Sequence, residues 1–147
     1  MKLRMLMSSV AAVALAAGGV LVVAEPASAA TCAGSGCDNG DPVVYGCATD
    51  GVGDGSASQQ YSVALPWGGT LWNEWSAGCA ANWAKVTGTL NGTVIWAGTS
   101  KGGTADWAVQ PGYSYGWSNM WDGSNGNVVT VCAWLPDAGY PEECVSR

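Results

Sequence analysis

From residue 60 on, short β-branched and aromatic runs alternate with turn residues: "QYSVAL", "TLWNEWS", "NWAKVTGTL", "TVIWAG", "ADWAVQ", "YSYGWSNMW" and "NVVTVCAWL". Such runs, bounded by Gly, Asn, Asp and Pro, predict strands whose successive side chains point to opposite faces. No stretch keeps a helical apolar period over three turns. Two links carry the strongest short hairpin signals: Asn91-Gly92 lies between "KVTGTL" and "TVIWAG", and "WDGSNGN" joins "YSYGWSNMW" to "NVVTVCAWL". The expectation is an all-β domain, a small antiparallel β-barrel or sandwich of seven or eight strands. Before it, Thr31 to Ser58 is rich in Gly, Asp and Ser and predicts an irregular segment. After it, "LPDAGYPEECVSR" holds two prolines and is expected to leave the sheet after Leu135 and run over the surface.

The beginning of the chain follows different rules. Lys2 and Arg4 precede an apolar run from Val10 to Ala24, and "EPASAA" then offers Ala27-Ser28-Ala29 as a small-x-small cleavage site. Residues 1–29 are therefore expected to be a secretory signal peptide, with no membrane span after cleavage, and residues 30–147 a single secreted domain. That domain keeps Lys85, Lys101 and Arg147 against ten acidic residues, a net charge of −7. A negative field of this kind disfavours nucleic acid and anionic membranes as partners.

Six cysteines, Cys32, Cys37, Cys47, Cys79, Cys132 and Cys144, all lie beyond the cleavage site. An even number in an exported chain reads as a disulfide framework. With no histidine and no close cysteine pair, a zinc site is disfavoured. Spacing alone does not choose the connectivity; nearest-neighbour pairing, Cys32–Cys37, Cys47–Cys79 and Cys132–Cys144, is the working expectation.

Nine tryptophans and no phenylalanine stand in the secreted domain. Ile95, Leu65, Leu71, Leu90, Leu135 and Met120 are its only residues of those three types, so most tryptophans are expected to fill the core. Trp72 and Trp75 cannot both face inward from one regular strand, so one of them should be exposed. Trp72, Trp117 and Trp121 are the candidates for an exposed binding surface, because a flat indole can stack on a sugar ring or anchor a protein partner.

Catalytic chemistry is thinly supplied. Without histidine, and with the cysteines paired, neither a Ser-His-Asp nor a Cys-His arrangement can be assembled. A carboxylate pair of the glycosidase type would have to use Glu74 with Asp106 or Asp122; the simpler reading of Glu74 is a solvated charge on the outer face. Asp38, Asp41, Asp50 and Asp54 could offer oxygens to calcium, but no EF-hand spacing is present and Asx-turns need the same residues. No cofactor and no metal are expected.

"CAGSGCDNGDPVVYGC" and "WSAGCAANWAKVTG" together resemble the YjfA-like secreted proteins of Gram-positive bacteria, a family without an assigned function. The similarity lies in Cys32, Gly34, Cys37, Asp41, Pro42, Gly46 and Cys47, then in Trp75, Ser76, Cys79, Trp83, Ala84 and Lys85. It implies export and a small β-rich domain. Family members often carry arginine at the position of Glu74, so no role for that side chain carries over. Cys132 and Cys144 lie outside both motifs, which favours their pairing with each other. The resulting expectation is an exported, non-catalytic binding protein acting on another protein or on cell-wall polysaccharide. Its alternatives are a tryptophan-based polysaccharide-binding module, a small carboxylate-dependent glycosidase, and an inhibitor-like scaffold presenting "GSGCDNGDP" and "DGVGDG".

Overall fold

A computed structural model describes residues 30–48 and 61–147. The expected signal peptide and the "DGVGDG" loop, with Asp50 and Asp54, lie outside the described residues. Among the described residues, nine antiparallel strands follow a 3-10 turn at Gly34–Cys37: β1 (Tyr61–Ala64), β2 (Thr70–Ser76), β3 (Ala81–Thr87), β4 (Val94–Thr99), β5 (Thr104–Ala108), β6 (Tyr115–Trp117), β7 (Trp121–Asp122), β8 (Val129–Trp134) and β9 (Glu143–Ser146). They form two sheets. One runs β1-β2-β3-β6, with β7 also paired to β3, and the other runs β5-β4-β8-β9. The two sheets pack face to face as a sandwich and do not close into a barrel.

Two differences from the sequence reading raise the strand number. "YSYGWSNMW" is split into β6 and β7, which meet different ends of β3. The tail does not stay off the sheet: after Pro136 and Pro141 have turned the chain, Glu143–Ser146 returns as the edge strand β9 beside β8. Its prolines fall before the strand, where no ladder hydrogen bond is required of them.

Both Asn-Gly links behave differently from a hairpin. Asn91-Gly92 connects β3 in one sheet to β4 in the other, and the Asn125-Gly126 turn connects β7 to β8 across the same gap. Stacked sheets lie roughly 10 Å apart, a gap that the residues between β3 and β4 readily bridge. Thr89 and Thr93 are buried in that connection, and both hydroxyls accept the Trp67 Nε1 hydrogen bond, at 3.1 and 3.2 Å. Turn chemistry specified the reversal here, and burial of the flanking residues specified the direction.

The core between the sheets is aliphatic. Leu65, Leu71, Ala84, Val86, Ile95, Ala97, Val109, Val129, Val131 and Ala133 fill it, with Trp67 at one end. Of the nine tryptophans only Trp67 and Trp83 are buried, which corrects the expectation of a tryptophan-built core. Valine, omitted from that reckoning, supplies the missing volume: its β-branched side chain packs well on a pleated surface and lets two sheets approach closely. Of the remaining indoles, Trp75 and Trp121 face inward at the edge of the core and are half-buried, Trp107 is exposed at a rim, and the others are half-buried.

A polar device crosses this core. Asn73 Nδ2 donates to the carbonyls of Val129 at 2.9 Å and Val145 at 3.3 Å, while its Oδ1 accepts from Asn82 Nδ2 at 2.9 Å. Asn73 and Asn82 are both essentially inaccessible to solvent. The pair thus joins β2 and β3 of one sheet to β8 and β9 of the other with every Asn73 side-chain group engaged.

Three disulfides, Cys32–Cys37, Cys47–Cys79 and Cys132–Cys144, complete the framework in the nearest-neighbour pattern. Such a set fits maturation in an oxidising compartment. Cys47–Cys79 fastens the irregular residues 30–48 to the outer face of the five-stranded sheet, over a second apolar cluster of Cys37, Ala48, Ala81, Trp83 and Met120.

Asn73→Ala removes three hydrogen bonds and orphans a buried Asn82 donor. With disulfides intact, urea unfolding should show a loss of roughly 2–4 kcal/mol, and an unchanged midpoint would contradict the bridging role.

Candidate functional site

The described residues converge on one aromatic groove, at the rim where edge strands β5 and β6 of the two sheets meet. It has a volume of about 310 Å³ and is lined by Asp41, Trp107, Gln110, Tyr113, Tyr115, Gly116, Trp117 and Asn119. That volume lies at the lower end of the range for ligand pockets.

Local sequence builds it in three steps. Gln110-Pro111-Gly112-Tyr113 makes the turn out of β5: Tyr113 N–H donates to Gln110 O at 3.1 Å, and Gly112 takes a φ of 88°. Proline second and glycine third is the type II signature. Next, Tyr113, Tyr115 and Trp117 alternate along the chain. Tyr115 and Trp117 are stacked with centroids 6.3 Å apart and planes 18° from parallel, while Tyr113 stands edge-on to Tyr115 at 5.5 Å. Finally, Gly116 faces the other side of β6, where a Cβ would stand 3.6 Å from Trp107 Cδ1, so the indole of Trp107 can rest close to the strand backbone. Trp107, Tyr113 and Tyr115 are 49%, 54% and 44% exposed, which leaves their faces open to a ligand.

The far wall comes from the irregular segment. Asn39 N–H donates to Met120 O at 2.9 Å, Met120 N–H donates to Gly40 O at 2.8 Å, and Asn119 Nδ2 donates to Asn39 Oδ1 at 3.1 Å. This seats Asp41 beside Trp117, whose Nε1 donates to Asp41 Oδ2 at 3.4 Å. The other carboxylate oxygen accepts the Val43 and Val44 N–H groups at 2.8 and 3.1 Å. Asp38 is likewise occupied, accepting the Asp122 N–H at 2.7 Å. Asp41 thus makes the Asx-type backbone contacts weighed against calcium, whereas Asp38 holds a backbone N–H distant in sequence.

The three tryptophans singled out from the sequence separate. Trp117 lines the groove. Trp72 lies on the same sheet face, in one cross-strand row with Lys85 and Trp117, but two strands away and with its Nε1 donated to Thr87 Oγ1 at 3.2 Å. Trp121 is opposite Asn82 and turned inward, its ring against Gly103, where a Cβ would come within 2.5 Å of it. Trp75 is also inward-facing and half-buried, covered by the Arg147 guanidinium 4.8 Å from its ring centre; Trp72 is half-buried too, so neither of the two is fully exposed. Trp107, Tyr113 and Tyr115 were missed, although "YSYGW" displays its aromatics at every second residue, the period that puts them on one strand face.

Glu74 is not a solvated charge. It is 1% exposed and lies 3.4 Å from Lys85 Nζ, itself 12% exposed, on the sheet face where Trp83 packs against residues of the irregular segment. Asp106, opposite Trp96 on the outer face of the other sheet, points away from Glu74, so those two are not brought together. Asp122 holds the Ser124 N–H at 2.8 Å in a turn.

No family model matches the chain, and no curated protein or solved structure shows detectable similarity to it.

Lys85→Met would leave Glu74 buried without this counter-charge and should lower unfolding free energy by roughly 3–5 kcal/mol. Adding Glu74→Gln should recover most of that loss. If the double variant is no more stable than the single one, the ion pair is not the reason Lys85 matters.

Proposed function

We propose that the protein is an exported, non-catalytic binding module that holds a carbohydrate chain of the cell envelope in the β5–β6 groove. The observation that carries this reading is the convergence of Trp107, Tyr113, Tyr115 and Trp117, three of them about half exposed, around the polar groups of Asp41, Gln110 and Asn119. A pyranose ring has one face of C–H groups and an edge of hydroxyls. The C–H face matches the electron-rich face of an indole or phenol, and the hydroxyls match carboxylate and amide partners.

Export is supported by the basic and apolar start of the chain, the three disulfides and the resemblance to YjfA-like proteins, which supplies no activity of its own. The glycosidase alternative finds less support, since Glu74 is buried and engaged with Lys85 and Asp106 faces away.

Pull-down of the secreted protein on insoluble peptidoglycan, chitin and cellulose should retain it on at least one of them. Trp107→Ala and Tyr115→Ala should each abolish retention with little change in melting temperature. Trp83→Ala, at a buried position, should instead cost about 3–5 kcal/mol of stability. Passage through all three polysaccharides unretained would reject the carbohydrate reading.

A further inference from the structure

Within that carbohydrate reading, on which this inference rests, we propose that the groove selects amino sugars whose nitrogen is a free ammonium over their N-acetylated or anionic counterparts. The site is electrostatically one-sided. Among the described residues its only formally charged lining side chain is Asp41, and the other large surfaces are four aromatic rings, whose faces carry the negative end of the ring quadrupole. Both features attract a cation: a carboxylate by direct charge, and indole and phenol faces by the cation–π effect, strongest over tryptophan.

No lysine or arginine among the described residues lines the groove. The nearest base in the strand register, Lys85, lies opposite Trp117 on β3, but its ammonium is 3.4 Å from Glu74 and its charge is spent there. Lys101 is in the β4–β5 turn at the other end of β5. The domain as a whole is acidic, with three basic residues against ten acidic ones beyond residue 29, so the long-range field adds to the same preference.

Polar geometry agrees. One N–H of Gln110 is used on the Ala108 carbonyl at 2.8 Å and one of Asn119 on Asn39 Oδ1 at 3.1 Å. Their amide oxygens and the Oδ2 edge of Asp41 offer acceptors to the three N–H donors of an ammonium, and although each amide keeps one further N–H, the Asp41 charge works against a carboxylate or phosphate. Asp41 Oδ2 is held beside the Trp117 ring by the indole N–H, so charge and π face are presented together.

Titration of tryptophan fluorescence with tetramers of glucosamine, N-acetylglucosamine and galacturonic acid, at a pH where the amine is protonated, tests this. The glucosamine tetramer should bind about tenfold more tightly than the acetylated one, with no binding of the uronic acid tetramer. Asp41→Asn keeps the turn acceptor and should bring the two amino-sugar affinities together. In the unaltered protein, raising ionic strength should shrink the same preference, which needs no variant to fold. Equal affinity for the free and acetylated tetramers, or a preference for the uronic acid, overturns the inference and leaves carbohydrate binding standing. Failure to bind any of these tetramers or the three polysaccharides would take both down.

Discussion

The arrangement depends on a face that a two-layer sandwich ordinarily leaves to water. In the five-stranded sheet the outward positions of β2 and β3 include Glu74, Ala81, Trp83 and Lys85, and Trp83 and Glu74 are almost wholly buried. A sheet that is apolar on both sides must be covered on both sides. The cover is the irregular segment 30–48, which has no ladder of its own. It is held by the Cys47–Cys79 bridge, by the exchange of backbone hydrogen bonds between residues 39–40 and Met120, and by aspartate side chains accepting N–H groups. Docking of this segment also places Asp41 at the groove, so structural cover and the charged wall of the site are one element.

Aromatic placement follows from how the sheets close. An aliphatic interior of valine, alanine, leucine and isoleucine lets the sheets pack without wide rings between them. Most tryptophans are then displaced to outer faces and rims, while Trp67 closes one end of the core and Trp75 and Trp121 face inward at its edge; several of the indole N–H groups reach a partner. Trp67 uses Thr89 and Thr93, Trp72 uses Thr87, Trp96 uses Glu142 and Trp117 uses Asp41. Where two edge strands of opposite sheets meet, the displaced rings face one another across a gap, and the groove is that gap.

Buried polar groups give the sandwich its alignment. Asn73 and Asn82 are satisfied only when β2 and β3 lie over β8 and β9 in this register, since a one-residue slip would turn both side chains to the other face. The Glu74–Lys85 pair acts similarly on the outer face of the same sheet: two charges leave water together, and their mutual attraction offsets the desolvation.

Local information in the chain determined what local physics controls. Period-two apolar runs specified strands, and glycine and aspartate within residues 31–48 specified an irregular segment; the cysteines specified a disulfide framework, while spacing left its connectivity open. Tertiary structure decided the rest. Asn91-Gly92 and Asn125-Gly126 were legible as turns, but whether a strand pairs beside its predecessor or crosses to the facing sheet depends on which residues can be buried together, a non-local matter. Glu74 read as solvated because nothing near it in sequence says that residues 30–48 will dock on the face of the sheet it occupies. Trp117 was legible as a surface candidate, and the alternation in "YSYGW" contained Tyr113 and Tyr115 as well. Trp107 and Asp41 join them only because β5 and the irregular segment arrive at β6 in space, brought there by burial of valine on one side of the sheet and of Trp83 on the other.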